Sequence, residues 1–335
     1  MKKTAFVTGG AGFLGRHLIG ELLRQDWEVH ALVRGEVPDW MRGERITVRQ
    51  GSLQDLTTTT AAIPRRADAV FHVAAATTMW MGDLDLLLRD NVAATRTLLR
   101  AALQREARRV VATSTLGLFR TDLGVVDEQS ELRGDRDPNP YLRSKRMADD
   151  LLQQATRDGL LTVSLHPSHM LGPFDKAGWI RMFDDVAAGK VRAAPGGRAC
   201  FSPVREVACA HVAAAEHAHP AARYVLAGPQ ASYLEVFAGI AARLNARPVT
   251  ATVPAPLLKA VGRLSALWSQ VSGRRPALNP ALAEILTGDI LGDSRLAETQ
   301  LGYRAGELEA MLDASFEYWR MTRIAPTRRM SRPAS

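Results

Sequence analysis

An apolar run at residues 4–8 breaks into Gly9-Gly10-Ala11-Gly12-Phe13-Leu14-Gly15, after which Leu14, Leu18, Ile19, Leu22 and Leu23 recur at helical spacing. Strand, glycine turn and helix in that order leave few folds open. A tight turn needs glycine, a second glycine lets a pyrophosphate approach the backbone, and a third lets helix and strand pack closely. The N–H groups of the first helical turn then meet the phosphate. Gly9, Gly12, Phe13, Leu14 and Gly15 are therefore predicted to seat a dinucleotide. Two glycine registers fit: Gly10, Gly12 and Gly15 satisfy G-x-G-x-x-G, and Gly9, Gly12 and Gly15 satisfy G-x-x-G-x-x-G.

Beyond the loop the chain alternates. A strand at 28–33 completes one βαβ unit, and apolar runs at 46–48, 69–73, 109–113 and 161–165 alternate with helical patterns at 84–107 and 141–157. This predicts an α/β fold, a Rossmann-type doubly wound parallel sheet with a smaller C-terminal substrate-binding lobe. Past Pro167 the pattern loosens around Gly172-Pro173, Pro195-Gly196-Gly197 and Pro254-Ala255-Pro256. The expected division is 1–166 for the dinucleotide domain and 167–335 mainly for the lobe, with about 200–228 returning to the sheet as strand, helix, strand.

The formal net charge of +8 does not imply nucleic acid, because the cations are scattered among acids and form no stripe interleaved with aromatics. The basic segment 323–332 reads as a frayed, solvated end. Cys200 and Cys209 form no Cys-x-x-Cys pair, so free thiols in a reducing compartment are expected. Met1-Lys2-Lys3 opens like a signal peptide, but glycines interrupt it, and no stretch approaches the ~18 apolar residues of a spanning helix. A cytoplasmic protein without an integral membrane segment is expected. His211, His217 and His219 lack the i, i+4 spacing of helical metal ligands, so they read as partly exposed, and no metal is expected.

Arg34 follows the second strand nineteen residues beyond Gly15, where NAD enzymes place the acid that holds the ribose 2′-hydroxyl. An arginine offers a fork to a 2′-phosphate instead, which favours NADP(H) over NAD(H), with Arg16 as a second contact. In Tyr141-Leu142-Arg143-Ser144-Lys145 the i, i+4 spacing puts phenol and ammonium on one helix face. The cation is expected to lower the tyrosine pKa from about 10, suiting it to protonate an alkoxide. The pair alone is a weak pattern. It gains weight from Thr113-Ser114-Thr115, whose hydroxyls emerge at the carboxyl edge of the predicted sheet.

With Phe71-His72-Val73-Ala74-Ala75, Asn91-Val92, Pro167, Gly172-Pro173 and Leu301-Gly302-Tyr303, these residues make the chain resemble an extended short-chain dehydrogenase/reductase, the NAD-dependent epimerase/dehydratase family. The resemblance spans nearly the whole chain and is to the branch of dihydroflavonol reductases and 3β-hydroxysteroid dehydrogenases, and with Arg34, Thr115, Tyr141 and Lys145 it selects the Gly9, Gly12, Gly15 register. It implies Tyr141 as general acid/base, Lys145 on the ribose hydroxyls and tuning the tyrosine, and Thr115 at the family serine, with Ser114 as the second choice. It further implies that Ala74, Ala75 and Ala76 line the cofactor, that Pro167 to Met170 pass the nicotinamide, and that the chain forms a homodimer. Two positions depart from the pattern. Ser52, before Leu53, stands where relatives often carry an Asp near the adenine, which leaves weaker or backbone contacts there, and His166 replaces an Arg before Pro167.

The leading expectation is an NADP(H)-dependent reductase of a mostly apolar or aromatic ketone, a small-molecule carbonyl/alcohol substrate. Helices at 256–271 and 280–290 would offer Leu, Val and Trp around its cleft, and His169 lies in the nicotinamide-side loop. A nucleotide-sugar epimerase/dehydratase with bound NAD is the alternative, although such enzymes usually carry an Asp after the second strand. A non-catalytic dinucleotide-binding regulator is a third, which the intact Tyr141 and Lys145 disfavour.

Overall fold

β1 (Thr4–Thr8) buries Ala5, Phe6 and Val7 completely, as a central strand covered on both faces must. In the computed structural model, which describes residues 2–43 and 45–324, β2 (Glu28–Val33) and β3 (Ile46–Gln50) lie to one side of it. β4 (Ala69–His72), β5 (Arg109–Thr113) and β6 (Leu161–Pro167) lie to the other, all parallel. The order 3-2-1-4-5-6 reverses between β1 and β4, so the loops after these two strands face each other across a crevice at the carboxyl edge. This is the α/β doubly wound sheet that the alternation predicts. The tail from residue 325 lies outside the described residues.

Both faces are covered. α1 (Phe13–Arg24) supplies Leu18, Ile19 and Leu22 to one core. α2 (Leu56–Ala62) lies on the opposite face, where Phe6, Val70 and Val110 of the sheet form a second core with Leu98, Leu99 and Leu152. The helix expected over 84–107 is not continuous. α3 (Leu84–Leu87) runs into a π-turn, Leu88–Ala93, before α4 (Ala94–Gln104). The extra residue of a π-turn shifts the face that follows it, and here it carries Asn91. α5 (Pro140–Arg157) starts on Asn139, whose side chain caps the N–H groups of Tyr141 and Leu142, with Pro140 at the first helical position.

After β6 the chain builds a second small sheet. β7 (His169–Leu171) pairs parallel to β9 (Arg198–Pro203), with β8 (Ala194–Pro195) between them in sequence. α6 (Ile180–Ala187) packs there around Phe183, Phe201, Tyr233 and Phe237. α7 (Val204–Glu216) returns to the first core beside α1, and β10 (Arg223–Leu226) pairs parallel to β6 as the seventh strand of the main sheet. α8 (Tyr233–Arg243) begins with a capping box between Ser232 and Glu235. α9 (Ala255–Ser272) then lies against α10 (Pro280–Thr287). The helix expected to reach residue 290 stops at Thr287, because Asp289–Ile290 pairs with β9. No helix among the described residues is long and apolar enough to cross a membrane.

Candidate active site

The structure separates the two glycine registers. Gly9 has φ +68°, and a Cβ on it would stand 2.6 Å from the Ala74 nitrogen. A Cβ on Gly15 would run into the Gly9 carbonyl, which itself accepts the Gly12 N–H at 2.9 Å. Gly10 is under milder constraint, since its nearest obstacle is the flexible end of Ile19. The cradle therefore requires Gly9 and Gly15, with Gly12 capping α1 through no side chain of its own. Phe13 and Leu14 stand in the first turn of α1, whose N–H groups have no intrahelical acceptor and so can meet a phosphate.

Across the crevice the loop after β4 is braced from three directions. His72 is buried, with Nδ1 2.9 Å from Thr8 Oγ1 and Nε2 2.8 Å from Thr95 Oγ1, and burial pushes its pKa down to about 3. Ala74 donates its N–H to Thr8 Oγ1 at 3.3 Å. Asn91 accepts from the Ala76 N–H at 2.7 Å and donates to the Ala76 carbonyl at 2.9 Å and to Ser144 Oγ at 2.9 Å. Ser144 donates in turn to the Tyr141 carbonyl at 2.7 Å. Ala74, Ala75 and Ala76 are thereby tied to the helix that carries Tyr141. Sequence reasoning missed this clamp. Its one available signal was an asparagine, a poor helix former, inside a helical pattern.

Tyr141, Lys145 and Asp149 follow one face of α5 at successive turns. The Tyr141 phenol faces the Thr115 hydroxyl. Burial pushes the phenol up to about 12, with the Thr115 hydroxyl pulling the other way. Lys145 Nζ donates to the Thr113 carbonyl at 2.7 Å, and burial lowers the ammonium to about 8. The expected lowering of the tyrosine by the lysine is not the balance found, because dehydration of the phenol outweighs what acts against it. Thr115 and Ser114 also part company. Thr115 faces the phenol, whereas the Ser114 hydroxyl, buried and without a hydrogen-bond partner, lines a cavity of about 20 Å³ with Asn91 and Lys145.

His166 is fully buried, with Nδ1 3.2 Å from the Thr115 carbonyl and Nε2 2.9 Å from Ser164 Oγ. Burial lowers it to about 4, against the charge of Asp149 and the Thr115 bond, so the ring is neutral at ordinary pH. Asp149 is buried and paired with Arg223 at 2.6 Å. The position that departs from the family arginine thus sits directly behind Thr115.

Arg34 is 70% exposed at the side chain, and Nη1 donates to Asp90 Oδ2 at 2.9 Å. Asp90 also accepts from Arg89 and from Gln54, in the turn holding Ser52 and Leu53. Partial burial would raise this carboxyl, but the hydrogen bonds from Arg89 and Arg34 hold it below the usual range. Arg16 stacks over Phe174, 3.6 Å from the ring centre, and over Trp40.

Pro167 ends β6 and Met170 lies half-buried in β7. His169 sits among Trp179, Phe201 and Tyr233, with Nε2 3.1 Å from the Tyr233 hydroxyl. His211, expected to be partly exposed, is fully buried and bonds Thr113 Oγ1 at 2.8 Å. No group of three metal-ligating side chains occurs among the described residues. Leu257, Leu264, Leu267, Trp268 and Val271 of α9, expected around a cleft, are exposed, Trp268 at 68%.

Residues 5–227 match the model of the NAD dependent epimerase/dehydratase family. The chain is 28% identical over 312 residues to sterol demethylase protein B of Methylococcus capsulatus, covering 89% of this chain and 93% of that one. It is 29% identical over 307 residues to the 4-hydroxy-2-methyl-3-oxo-4-farnesyl-3,4-dihydroquinoline-1-oxide ketoreductase of Stigmatella aurantiaca, covering 89% and 91%. Another relative, from Synechocystis and 33% identical over 173 residues, is matched over half of its length. Among solved structures, gox2253 superposes with a TM-score of 0.81 at 22% identity, over 96% of this chain and 99% of that one. MoeE5 in complex with UDP-glucuronic acid and NAD gives 0.76 at 25%, over 95% and 99%.

Proposed function

Because the chain belongs to the NAD dependent epimerase/dehydratase family, we propose that it is an NADP(H)-dependent oxidoreductase that interconverts a ketone and a secondary alcohol on a mostly apolar or aromatic small molecule. The observation that carries this reading is the Thr115 hydroxyl set against the Tyr141 phenol at the carboxyl edge of the sheet. A nicotinamide dinucleotide seated on the glycine cradle supplies the hydride chemistry. Thr115 holds the substrate oxygen, and Tyr141 gives it a proton. A phenol near 12 keeps that proton at neutral pH, as an acid in the reducing direction must. Lys145 has three N–H donors and commits one to Thr113, which leaves two for ribose hydroxyls. At about 8 it also still carries its charge at neutral pH.

The preference for NADP(H) rests on Arg34. One of its five N–H groups is committed to Asp90, and the exposed remainder of the fork is free to meet a 2′-phosphate. The apolar substrate class is supported by relatives that span most of the chain and are named for sterol and farnesyl-quinoline chemistry. A nucleotide-sugar epimerase retaining NAD is the second reading, favoured by the likeness to MoeE5, solved with UDP-glucuronic acid and NAD. Purified protein mixed with NADPH or NADH and a panel of ketones of graded size and polarity separates the two. Consumption of NADPH with apolar ketones supports the reductase. Co-purified NAD, with sugar nucleotides interconverted and no net consumption of cofactor, rejects it.

A further inference from the structure

At about 100° of rotation per residue, α9 divides lengthwise into three sectors. One is buried against α10: Gly262 and Ser269 are its covered residues, and a Cβ on Gly262 would stand 3.1 Å from the Asn279 carbonyl and 3.2 Å from Ala283 Cβ. The second is apolar and open. Leu257, Val261, Leu264, Leu267, Trp268 and Val271 fall within an arc of roughly 120° and are 43% to 83% exposed. The third sector, adjoining it, carries exposed Lys259, Arg263 and Gln270. A continuous apolar stripe of this length is more than a protein surface ordinarily leaves to water.

Charge selects the occupant. From residue 236 to residue 283 there is no acidic side chain, while Arg243, Arg247, Lys259, Arg263, Arg274 and Arg275 are all cationic. Arg243 is paired with Glu309 and Asp313 and Arg275 with Asp83, so the cations that a second copy would bring together, α9 against α9 by two-fold symmetry, are Lys259, Arg263 and Arg274, with no acid on the same stretch of chain to offset them. A surface of anionic headgroups over an acyl layer matches both sectors at once. α9 is not long and apolar enough to cross a bilayer, so its geometry is that of a helix lying in the interface plane, with leucine and tryptophan inward and lysine and arginine at the headgroups.

We propose that α9 is a docking helix for an anionic bilayer surface. The apolar arc enters the acyl boundary, and Lys259, Arg263 and Arg274 meet the headgroups. This assignment stands independently of the reaction proposed above.

Co-sedimentation of the full-length protein with vesicles tests it. Wild type is expected to pellet with mixed phosphatidylglycerol/phosphatidylcholine vesicles and to bind pure phosphatidylcholine far more weakly. Arg263→Gln should weaken partition to the mixed vesicles about fivefold, and L264E/W268E should abolish it. An unchanged thermal midpoint excludes misfolding. Should L264E/W268E shift that midpoint, Val271→Glu at the most exposed position is expected to give the same loss of binding. Failure of wild type to bind anionic vesicles, or full binding by the folded variants, overturns the proposal. So does a wild-type dimer that ignores vesicles and that L264E/W268E converts to monomer, which would assign the face to a second copy.

Discussion

Asn91 holds Ala76 by both of its backbone polar groups, accepting from the N–H at 2.7 Å and donating to the carbonyl at 2.9 Å. Its amide also reaches Ser144 on the helix of Tyr141, so one side chain fixes the cofactor-side loop and the candidate acid relative to each other.

Replacing Asn91 by Leu strands both Ala76 groups and removes the donor to the Ser144 hydroxyl, which keeps its own bond to the Tyr141 carbonyl. Each buried group left unpaired costs about 1–3 kcal/mol, so stability should fall by about 2–5 kcal/mol. The KM for the dinucleotide should rise about tenfold as the loop loosens. Urea unfolding and steady-state kinetics check both. An unchanged cofactor KM at reduced stability would leave Asn91 as a structural residue only.

Arg34→Ala removes the fork proposed for the 2′-phosphate. A charge-assisted hydrogen bond contributes about 1.5–3 kcal/mol, so kcat/KM with NADPH should fall about 10- to 100-fold, with NADH changing little. Equal losses with both cofactors would instead trace to the broken pair with Asp90.

Four histidines make the fold acid-sensitive. Burial holds His72 to about 3 and His166, His169 and His211 to about 4, against 6.5 for the free side chain. The unfolded chain therefore binds protons that the folded chain refuses as pH falls from about 6.5 towards 4. Their contribution is complete above that window and is lost through it, each histidine adding a slope of up to about 1.4 kcal/mol per pH unit. Thermal midpoints measured from pH 7.5 to 4.5 should fall steeply below 6.5, and His211→Gln should flatten the slope. A flat profile would mean that the imidazoles are protonated in the fold.

The strands and their parallel order were legible because central strands are apolar on both faces and glycines mark the first crossover. The loop alone left its register open, and the company of Arg34, Thr115, Tyr141 and Lys145 selected Gly9 over Gly10. The physical reason was not legible, since Ala74, which stands against Gly9 alone, lies far along the chain. The π-turn was hidden, since its local pattern reads as continuous helix, and the contact it serves, Asn91 to Ala76, lies fifteen residues apart in the chain. The direction of the Tyr141 shift was misread for a similar reason: helical spacing reports the neighbouring cation but not how much water the phenol loses. His166 showed in the sequence as a departure from the family arginine, while its place behind Thr115 depends on the pairing of β5 with β6.

The most direct test is Tyr141→Phe, assayed for NADPH oxidation with the best ketone of the panel and, separately, for NADPH binding by fluorescence. General acid catalysis contributes about 10²–10⁴-fold. The account predicts a loss of kcat in that range with the dinucleotide still bound at near wild-type affinity. Turnover by Tyr141→Phe at the wild-type rate would contradict it.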